Sequence, residues 1–529
     1  MASTLDRGSQ LDRIAPKDGL DISFEQMKTS GFESINRELA DQTNNSNFDK
    51  LENIENVCST EESSATRPDL NIVDWAPDDL QNPKNWPLRR KWIIIFVVSA
   101  NTLMTALGST IPTPGVPQLM EEFHSENDLL ESFVISIYVL GFAFGPLIIA
   151  PLSETYGRWP VYLACNTCFL FWCIASALAP NMASLVIFRF LAGGFGVAPF
   201  TLGGGTIADM VEPAQRGTAM GIWMCGLTVG PVIGPTIGGF TSAYLGWRWT
   251  FWILTIIAGV ICALNVTVMR ETFAPVLLAR RVKKLRKETG NMRLRSNLEK
   301  VESTKNILRL SIVRPMKMLF TSVIVFMLCV YVALIYTIMF ILFTTFTTVF
   351  EGQYNISTSV SGLVYLGWGI GSVIGQIVYT TVSNRFVARR LEKGKFKPEH
   401  RLPIMVPGGL FLPIGLIWYG WSAQAQVFWI VPIIGTAVAA IGLTIVFVAP
   451  LAYLIDVFTI YAASAIAANV ILRSLCAAII PLCGQSLYNH LGLGWGNSFL
   501  GFISLGCVPI PLFFYYYGEK LRLKYSVNL

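Results

Sequence analysis

The sequence predicts an all-α membrane protein with twelve transmembrane helices, divided six and six, behind a long polar N-terminal segment. Three observations carry this. Of 529 residues, 53% are hydrophobic and only 14% charged, where a soluble domain carries about 25% charge. Twelve apolar runs reach the length of about 20 residues that a helix needs to cross a hydrocarbon core of about 30 Å. One long basic stretch, 14 Lys/Arg against four Glu over residues 270–317, interrupts these runs after the sixth.

Residues 1–74 are rich in Asp, Glu, Ser and Asn and hold no apolar stretch long enough to bury. This composition predicts a disordered cytosolic tail. Its first residues, MASTLDRGSQ, lack the basic segment and apolar core of a signal peptide. The N-terminal half, 75–269, carries spans 1 to 6 at 92–113, 132–151, 161–179, 184–207, 218–240 and 249–268. The basic linker, 270–318, leads into the C-terminal half, 319–517. Spans 7 to 12 lie there at 319–346, 359–382, 402–421, 427–450, 461–483 and 497–517, and residues 518–529 form a short cytosolic tail.

Loop charge sets orientation, with basic loops remaining inside. Lys84, Arg89, Arg90 and Lys91 precede span 1, and Arg158 and Arg216 lie in the 2–3 and 4–5 loops. The central linker and the 8–9 loop are basic, whereas the 1–2 loop carries Glu121, Glu122, Glu126 and Asp128. Both termini are therefore expected inside, and the pI near 8.7 reflects this asymmetry, not nucleic-acid binding. The sequon at Asn355 falls in the predicted outer 7–8 loop and is the glycosylation candidate. Those at Asn44 and Asn265 fall in the tail and in span 6. The ten cysteines lie mostly in apolar runs and predict no disulfide framework. Cys165 and Cys168 read as two small residues one turn apart, and the three scattered histidines form no metal site.

Span 5 contains GPVIGPTIGG, Gly230 to Gly239, in which two prolines and four glycines interrupt an apolar run. Each is a poor helix former. Gly226, Gly230, Gly234 and Gly238 recur every four residues and share one helix face. In lipid such small-residue rows let two backbones approach closely. Pro231 and Pro235 each remove a helical hydrogen bond and bend the helix. Span 8 carries a second row, Gly367, Gly371 and Gly375.

Several motifs resemble those of a known family. In the 2–3 loop, Ala150-Pro-Leu-Ser-Glu154-Thr-Tyr-Gly157-Arg158 resembles the signature of the major facilitator superfamily, with Ala150, Glu154 and Thr155 replacing the usual Gly, Asp and basic residue. Arg189-Phe-Leu-Ala-Gly193-Gly-Phe-Gly196 in span 4 resembles a second motif of that family, with Ala192 at its usual polar position. Gly217, Gly226, Gly230-Pro231, Gly234-Pro235 and Gly238-Gly239 together resemble the antiporter motif of its drug:proton exporters. Further stretches, including ETFAPVLL (271–278) and IDVFTIYAASAIAAN (455–469), look like a fungal branch that includes multidrug, polyamine and secondary-metabolite exporters. The resemblance runs from about residue 72 to the C-terminus. It implies two six-helix bundles around a central cavity that opens alternately to either side, proton coupling, and residence in the plasma membrane, with the vacuolar membrane as the alternative. It also makes spans 5 and 8 neighbours across the bundle seam, so the two glycine rows are expected to face each other there.

No ATP-binding loop is present, since GGGT at 203–206 lacks the Lys-Ser/Thr of a P-loop. No HExxH or GxSxG appears either, so no enzyme activity and no cofactor are expected. A charge inside the membrane is expensive and marks function by default. Arg189 in span 4 resembles the family's proton-transfer arginine, and its structural alternative is a partner for a helix end or carbonyl. Arg473, near the middle of span 11, is assigned to the cavity, where it would balance an anionic group of a substrate, with a carbonyl or Asp456 as the alternative partner. Glu154, Arg158, Asp209 and Asp456 lie near predicted cytosolic ends and are assigned to proton coupling and gating, with Glu154 and Arg158 expected to latch the bundles. Glu131, at the outer edge of span 2, reads as solvated. No acid lies in mid-span, which argues for neutral or weakly charged amphipathic substrates and leaves the proton carrier unassigned. The cavity is expected to use Asn101, Thr105, Tyr336, Tyr365, Trp368, Gln376 and Asn469. The reading is a monomeric, proton-coupled exporter of small molecules working in the lipid bilayer. An uptake symporter is disfavoured by the antiporter motif, and a receptor or scaffold would have to use the tail and linker.

Overall fold

A computed structural model describes residues 71–524 apart from 77, 126, 299–303, 393–396 and 459–461. Most of the expected disordered tail therefore lies outside the described residues. Its last part does not: Ile72–Val73 pairs in parallel with Arg295–Ser296 of the linker, and Asn297 Nδ2 donates to Asp74 Oδ2 at 2.7 Å. This corrects the expectation that the tail is unstructured to residue 74. The linker answers with a helix, Ala274–Thr289, which buries Leu278 and Val282 and ion-pairs Arg281 with Asp79. The Gln81 backbone N–H, and with it Arg281, holds the Asp79 carboxyl below its ordinary range.

Among the described residues eleven helical stretches are long and apolar enough to cross a membrane. The last, Ser464–Arg522, holds both span 11 and span 12, which makes twelve. Spans 1 to 6 are Leu88–Thr110, Asp128–Tyr156, Arg158–Ala177, Met182–Met210, Pro213–Leu245 and Arg248–Thr267. Spans 7 to 10 are Val323–Tyr354, Tyr365–Glu392, Met405–Gln424 and Ile430–Phe458. Span 11 begins with Ala462–Ile479, and the chain turns into span 12 at Gly492. Span 12 runs on to Lys524, so most of the expected tail from 518 is helical.

Local chemistry ends these helices. Asn127 Oδ1 accepts the Leu129 N–H at 2.9 Å at the start of span 2, and Asn181 forms a capping box with Ser184 at span 4. Gly157 (φ 101°), Gly246 (φ 89°) and Gly492 (φ 74°) turn the chain between spans 2 and 3, 5 and 6, and 11 and 12. Large apolar side chains such as Phe171, Ile187, Ile256 and Ile377 face outward, as a lipid surround requires.

Span 5 is one helix through both prolines. Pro235 has no N–H, so the carbonyl of Pro231, one turn back, loses its helical donor. Thr110 Oγ1 of span 1 donates to that carbonyl at 3.1 Å. The glycine row lies on the same contact. A Cβ added to Gly226 would sit 2.6 Å from the Ser99 carbonyl oxygen, and one on Gly230 2.5 Å from the Ala106 Cβ. One on Gly234 would sit 2.4 Å from Thr110 Oγ1, and one on Gly238 2.0 Å from the Ile111 carbonyl oxygen. The row therefore packs on span 1, inside its own bundle. Gly217 lies in the first turns of the same helix.

Span 8 repeats the arrangement, with Gly367, Gly371 and Gly375 against Ile433, Ala437 and Ile441 of span 10. This corrects the expectation that the two rows face each other. Each helix spends its smooth face on a partner in its own bundle. Spans 5 and 8 do meet, but along other faces. A Cβ on Gly362 would lie 2.1 Å from the Pro235 carbonyl oxygen, and one on Gly369 2.5 Å from Val232 Cγ1. Thr236 Oγ1 donates across the seam to the Gly362 carbonyl at 3.1 Å. Spans 2 and 11 form the other long contact between the bundles.

Gly221 tests the ladder, because it lies on the same helix with nothing within 4 Å of an added Cβ. Gly234→Val should lower the melting temperature of the purified protein, with overpacking costing about 1–3 kcal/mol, whereas Gly221→Val should leave it near the wild-type value. Equal melting of the two variants would refute the close contact.

Candidate functional site

A cavity lies between the bundles, with about 680 Å³ of non-protein space including its open part. Spans 1, 2, 4, 5, 7, 8 and 10 contribute to its wall. Six aromatics, Phe142, Phe200, Tyr336, Phe340, Trp368 and Phe447, dominate it, with Met224 and Met339 between them. The polar groups are neutral: Ser109, Thr228, Ser372, Gln376 and Thr444. Such a wall binds through apolar area and orients its ligand with a few hydrogen bonds.

Of the residues expected here, Tyr336, Trp368 and Gln376 line the cavity. Asn101, Thr105, Tyr365 and Asn469 do not, which corrects that assignment. Asn101 is fully buried, its Oδ1 accepting from Asn166 Nδ2 at 2.6 Å and from Asn265 Nδ2 at 3.0 Å. This triad ties spans 1, 3 and 6 together. Thr105 donates to the Gly196 carbonyl at 2.5 Å, Tyr365 to the Phe343 carbonyl at 2.7 Å, and Asn469 is buried beside Cys329. Polar groups in hydrocarbon seek one another, and here they do so inside each bundle.

The two arginines buried in the membrane region among the described residues differ. Arg189 is 1% exposed, its Nε donates to the Val134 carbonyl at 2.6 Å and its Nη2 approaches the Ser109 carbonyl at 3.5 Å. Tyr138 and Phe251 cover its guanidinium. It thus joins span 4 to spans 1 and 2, behind the cavity wall. Arg473 sits in span 11 over the rings of Tyr336 and Phe447, at 4.6 and 5.0 Å from their centroids. It is backed onto two residues of the wall without itself lining it.

At the end bearing the basic loops, each bundle holds an ion pair. Arg158 Nε meets Asp209 Oδ2 at 3.3 Å, and Arg401 meets Asp456. Each joins the loop after an even-numbered span to the end of the span two further on, so the halves repeat the device. Arg158 also donates from Nη1 to Ser153 Oγ at 2.7 Å and from its backbone N–H to Glu271 Oε1 at 2.8 Å. Glu271 Oε1 further accepts the N–H groups of Thr272 and Phe273, at 3.0 and 2.9 Å. These bonds all stay in the N-terminal bundle and its exit segment, so in this state the bonds of Arg158 do not cross to the other bundle. Glu154, one turn before Arg158 in the last turn of span 2, is half-buried.

Two acids escaped the sequence reading. Glu271 looks like a loop carboxylate because only the fold brings it onto the first N–H of span 3, and Glu399, in the 8–9 loop, is likewise buried, 3.7 Å from Arg522. At the opposite end, a hollow across the seam is lined by Glu131 together with Glu351 of span 7. Asn355 follows there, exposed and left-handed (φ 51°) at the end of span 7. The cysteines among the described residues, Cys165 and Cys168 included, are free thiols.

Twelve apolar helices in two bundles, with an uncharged cavity between them, give the architecture of a multi-pass membrane transporter. The sequence matches the Major Facilitator Superfamily over residues 98–481, and the chain belongs to that family. It is similar to the MFS-type transporter penM of Penicillium rubens, with 50% identity over 86% of this chain and 90% of that one. It is also similar to the efflux pump radE of Floropilus chiversii, with 46% identity over 86% and 85%, and to the MFS-type transporter atr4 of Stereocaulon alpinum, with 47% over 87% and 84%. Among solved structures it shares its fold with the proton:xylose symporter XylE bound to 6-bromo-6-deoxy-D-glucose, at TM-score 0.61 and 17% identity over 83% of this chain and 99% of that one. The protein is thus a membrane transporter of small molecules and not an enzyme.

Gly157 carries a direct test of the Arg158 cluster. A Cβ there would lie 2.0 Å from Glu271 Oε2 at φ 101°, whereas Gly246 has a similar φ and open space. Gly157→Ala should cost more than Gly246→Ala, which bears only the backbone strain of about 1–3 kcal/mol. Melting curves that fall equally would show that the Glu271 contact is dispensable.

Proposed function

We propose that the protein is a proton-coupled exporter of small amphipathic molecules, such as drugs, fungicides, toxins or secondary metabolites, working by alternating access. The observation that carries this is the aromatic, uncharged cavity between two bundles whose seam is closed at one end. Spans 5 and 8 touch at the end away from the basic loops. The cavity wall instead continues toward the basic ends of those spans, through Met224 and Gln376. With basic loops inside, this state faces the cytosol, where an exporter loads. Similarity to the efflux pump radE favours export over uptake, as does the glycine-proline motif of span 5.

The proton enters by resemblance to drug:proton exporters, with Arg189, Glu154, Arg158, Asp209 and Asp456 as the coupling and gating set. Arg158 and Asp456 sit in ion pairs within their own bundles here, so approach of the two basic ends in the opposite state must rearrange their surroundings. The plasma membrane, both termini in the cytosol and a monomeric state complete the reading.

Expression in a yeast strain stripped of its own exporters should lower accumulation of a subset of amphipathic dyes and inhibitors, and a protonophore should abolish the difference. Unchanged accumulation of every compound would sink the export reading. Export that survives the protonophore would remove proton coupling alone.

Orientation has its own check. Ser357→Ala destroys the sequon without straining the left-handed Asn355, and should abolish a glycosidase-sensitive mobility shift of the wild type. A wild type that shows no shift would refute modification at Asn355.

A further inference from the structure

Arg473 is 4% exposed, at mid-span, in a region where an isolated charge is strongly disfavoured. The other arginine buried in the membrane region among the described residues shows how such a charge is accommodated: Arg189 reaches two backbone carbonyls. Arg473 reaches none. Its Nε and Nη1 are buried with no hydrogen-bond partner among the described residues. Among these residues no carboxylate pairs with it, and Asp456, the alternative partner suggested by sequence, is engaged by Arg401. Ser474 Oγ beside it is also buried and unpaired.

What it does touch is the cavity wall. Tyr336 and Phe447 stack at 5.9 Å and 22°, and the guanidinium lies over both rings. Cation–π contact offsets part of the desolvation but supplies no hydrogen-bond acceptor. The positive charge is thus separated from the cavity by two side chains, in a low-dielectric surround where its field is little screened. An unmade hydrogen bond to a buried charge is an energetic demand for an acceptor.

The geometry points to Arg473 as the recognition site for an anionic substrate: an amphipathic aromatic or aliphatic acid whose carboxylate, or equivalent delocalised oxyanion, reaches the guanidinium past Tyr336 while its apolar body rests on Phe340 and Trp368. This rests on the cavity being the substrate site. It narrows the substrate class from amphipathic molecules in general to those that carry one negative charge. It also accounts for a wall without lysine or a lining arginine: the charge is stored behind aromatic rings, where it attracts an anion without forfeiting an apolar surface.

Naphthoate and naphthamide test this as a matched pair, with the same ring and shape and opposite charge state at neutral pH. Equilibrium binding to the purified full-length protein should favour naphthoate by about tenfold or more, as expected for a charge-assisted hydrogen bond. Arg473→Gln should erase the preference by weakening naphthoate and leaving naphthamide unchanged, so the amide reports an intact cavity. Arg473→Lys should restore part of it. Should Arg473→Gln not fold, the wild-type comparison and Arg473→Lys still decide. Equal binding of the two probes to the wild type, or a preference that survives Arg473→Gln, overturns the inference and leaves the cavity reading standing. Binding of neither probe up to millimolar concentration overturns both.

Discussion

Hydrocarbon offers no hydrogen bonds, so every polar group carried into the membrane must find its partner within the chain. Most of this structure follows from that constraint. Proline in span 5 removes a donor from the Pro231 carbonyl, and Thr110 of span 1 replaces it. Asn101 cannot face lipid, so it gathers Asn166 and Asn265 from two other spans. Arg189 takes carbonyls from spans 1 and 2. Each of these partnerships is made inside one bundle, and together they tie its six helices to one another.

The glycine rows act on the same scale. An axial spacing of four places small residues along one face, and that face accepts one neighbouring backbone. The spacing was legible in the sequence, but not which helix would use it, because Gly226 to Gly238 carry no side chain that names a partner. Charge asymmetry and apolar length revealed the twelve spans, including the separation of spans 11 and 12, between which the non-helical Gly492 turns the chain. The polar residues were harder. Asn101 and Thr105 have the chemistry of cavity-lining groups, and what sends them inward is a second amide or a carbonyl on a helix far away in sequence. Glu271 was hidden for the opposite reason. It reads as a loop acid, and only the positive φ of Gly157 brings the Arg158 backbone N–H onto it. The aromatic character of the wall was legible because so few spans carry charge. Its individual members, such as Phe142 and Phe200, look like ordinary core in the sequence.

Contacts within and between the bundles are of different kinds, and this difference bears on movement. Within a bundle, rows of backbone contact run along spans 1 and 5 and along spans 8 and 10. At the seam, spans 5 and 8 share a few close approaches around Gly239, Gly362 and Gly369 and one hydroxyl bond from Thr236. A hydrogen bond of this kind contributes about 0.5–1.5 kcal/mol, and the ion pairs of the basic end, Arg158–Asp209 and Arg401–Asp456, add nothing to the seam. Movement of one bundle against the other must therefore act on the contact between spans 5 and 8 and on that between spans 2 and 11. Close-packed interiors resist gradual deformation, so small shifts resolve into rigid displacement of one packed unit against another.

The same arrangement explains why the unpaired charge lies where it does. Arg473 belongs to span 11, which packs on span 7 of its own bundle and on span 2 of the other, and its guanidinium rests on Tyr336 and Phe447. It sits between the stiff interior of one bundle and the wall that a substrate would touch. An anion bound there would lower the energy of whichever state lets it reach the guanidinium, and a ligand shifts a conformational equilibrium only through such a difference in affinity. Arg189, already satisfied by carbonyls on its own bundle, has no comparable difference to offer. Of the two buried arginines, the one left incomplete by the protein is therefore the one through which a substrate can act on the conformation.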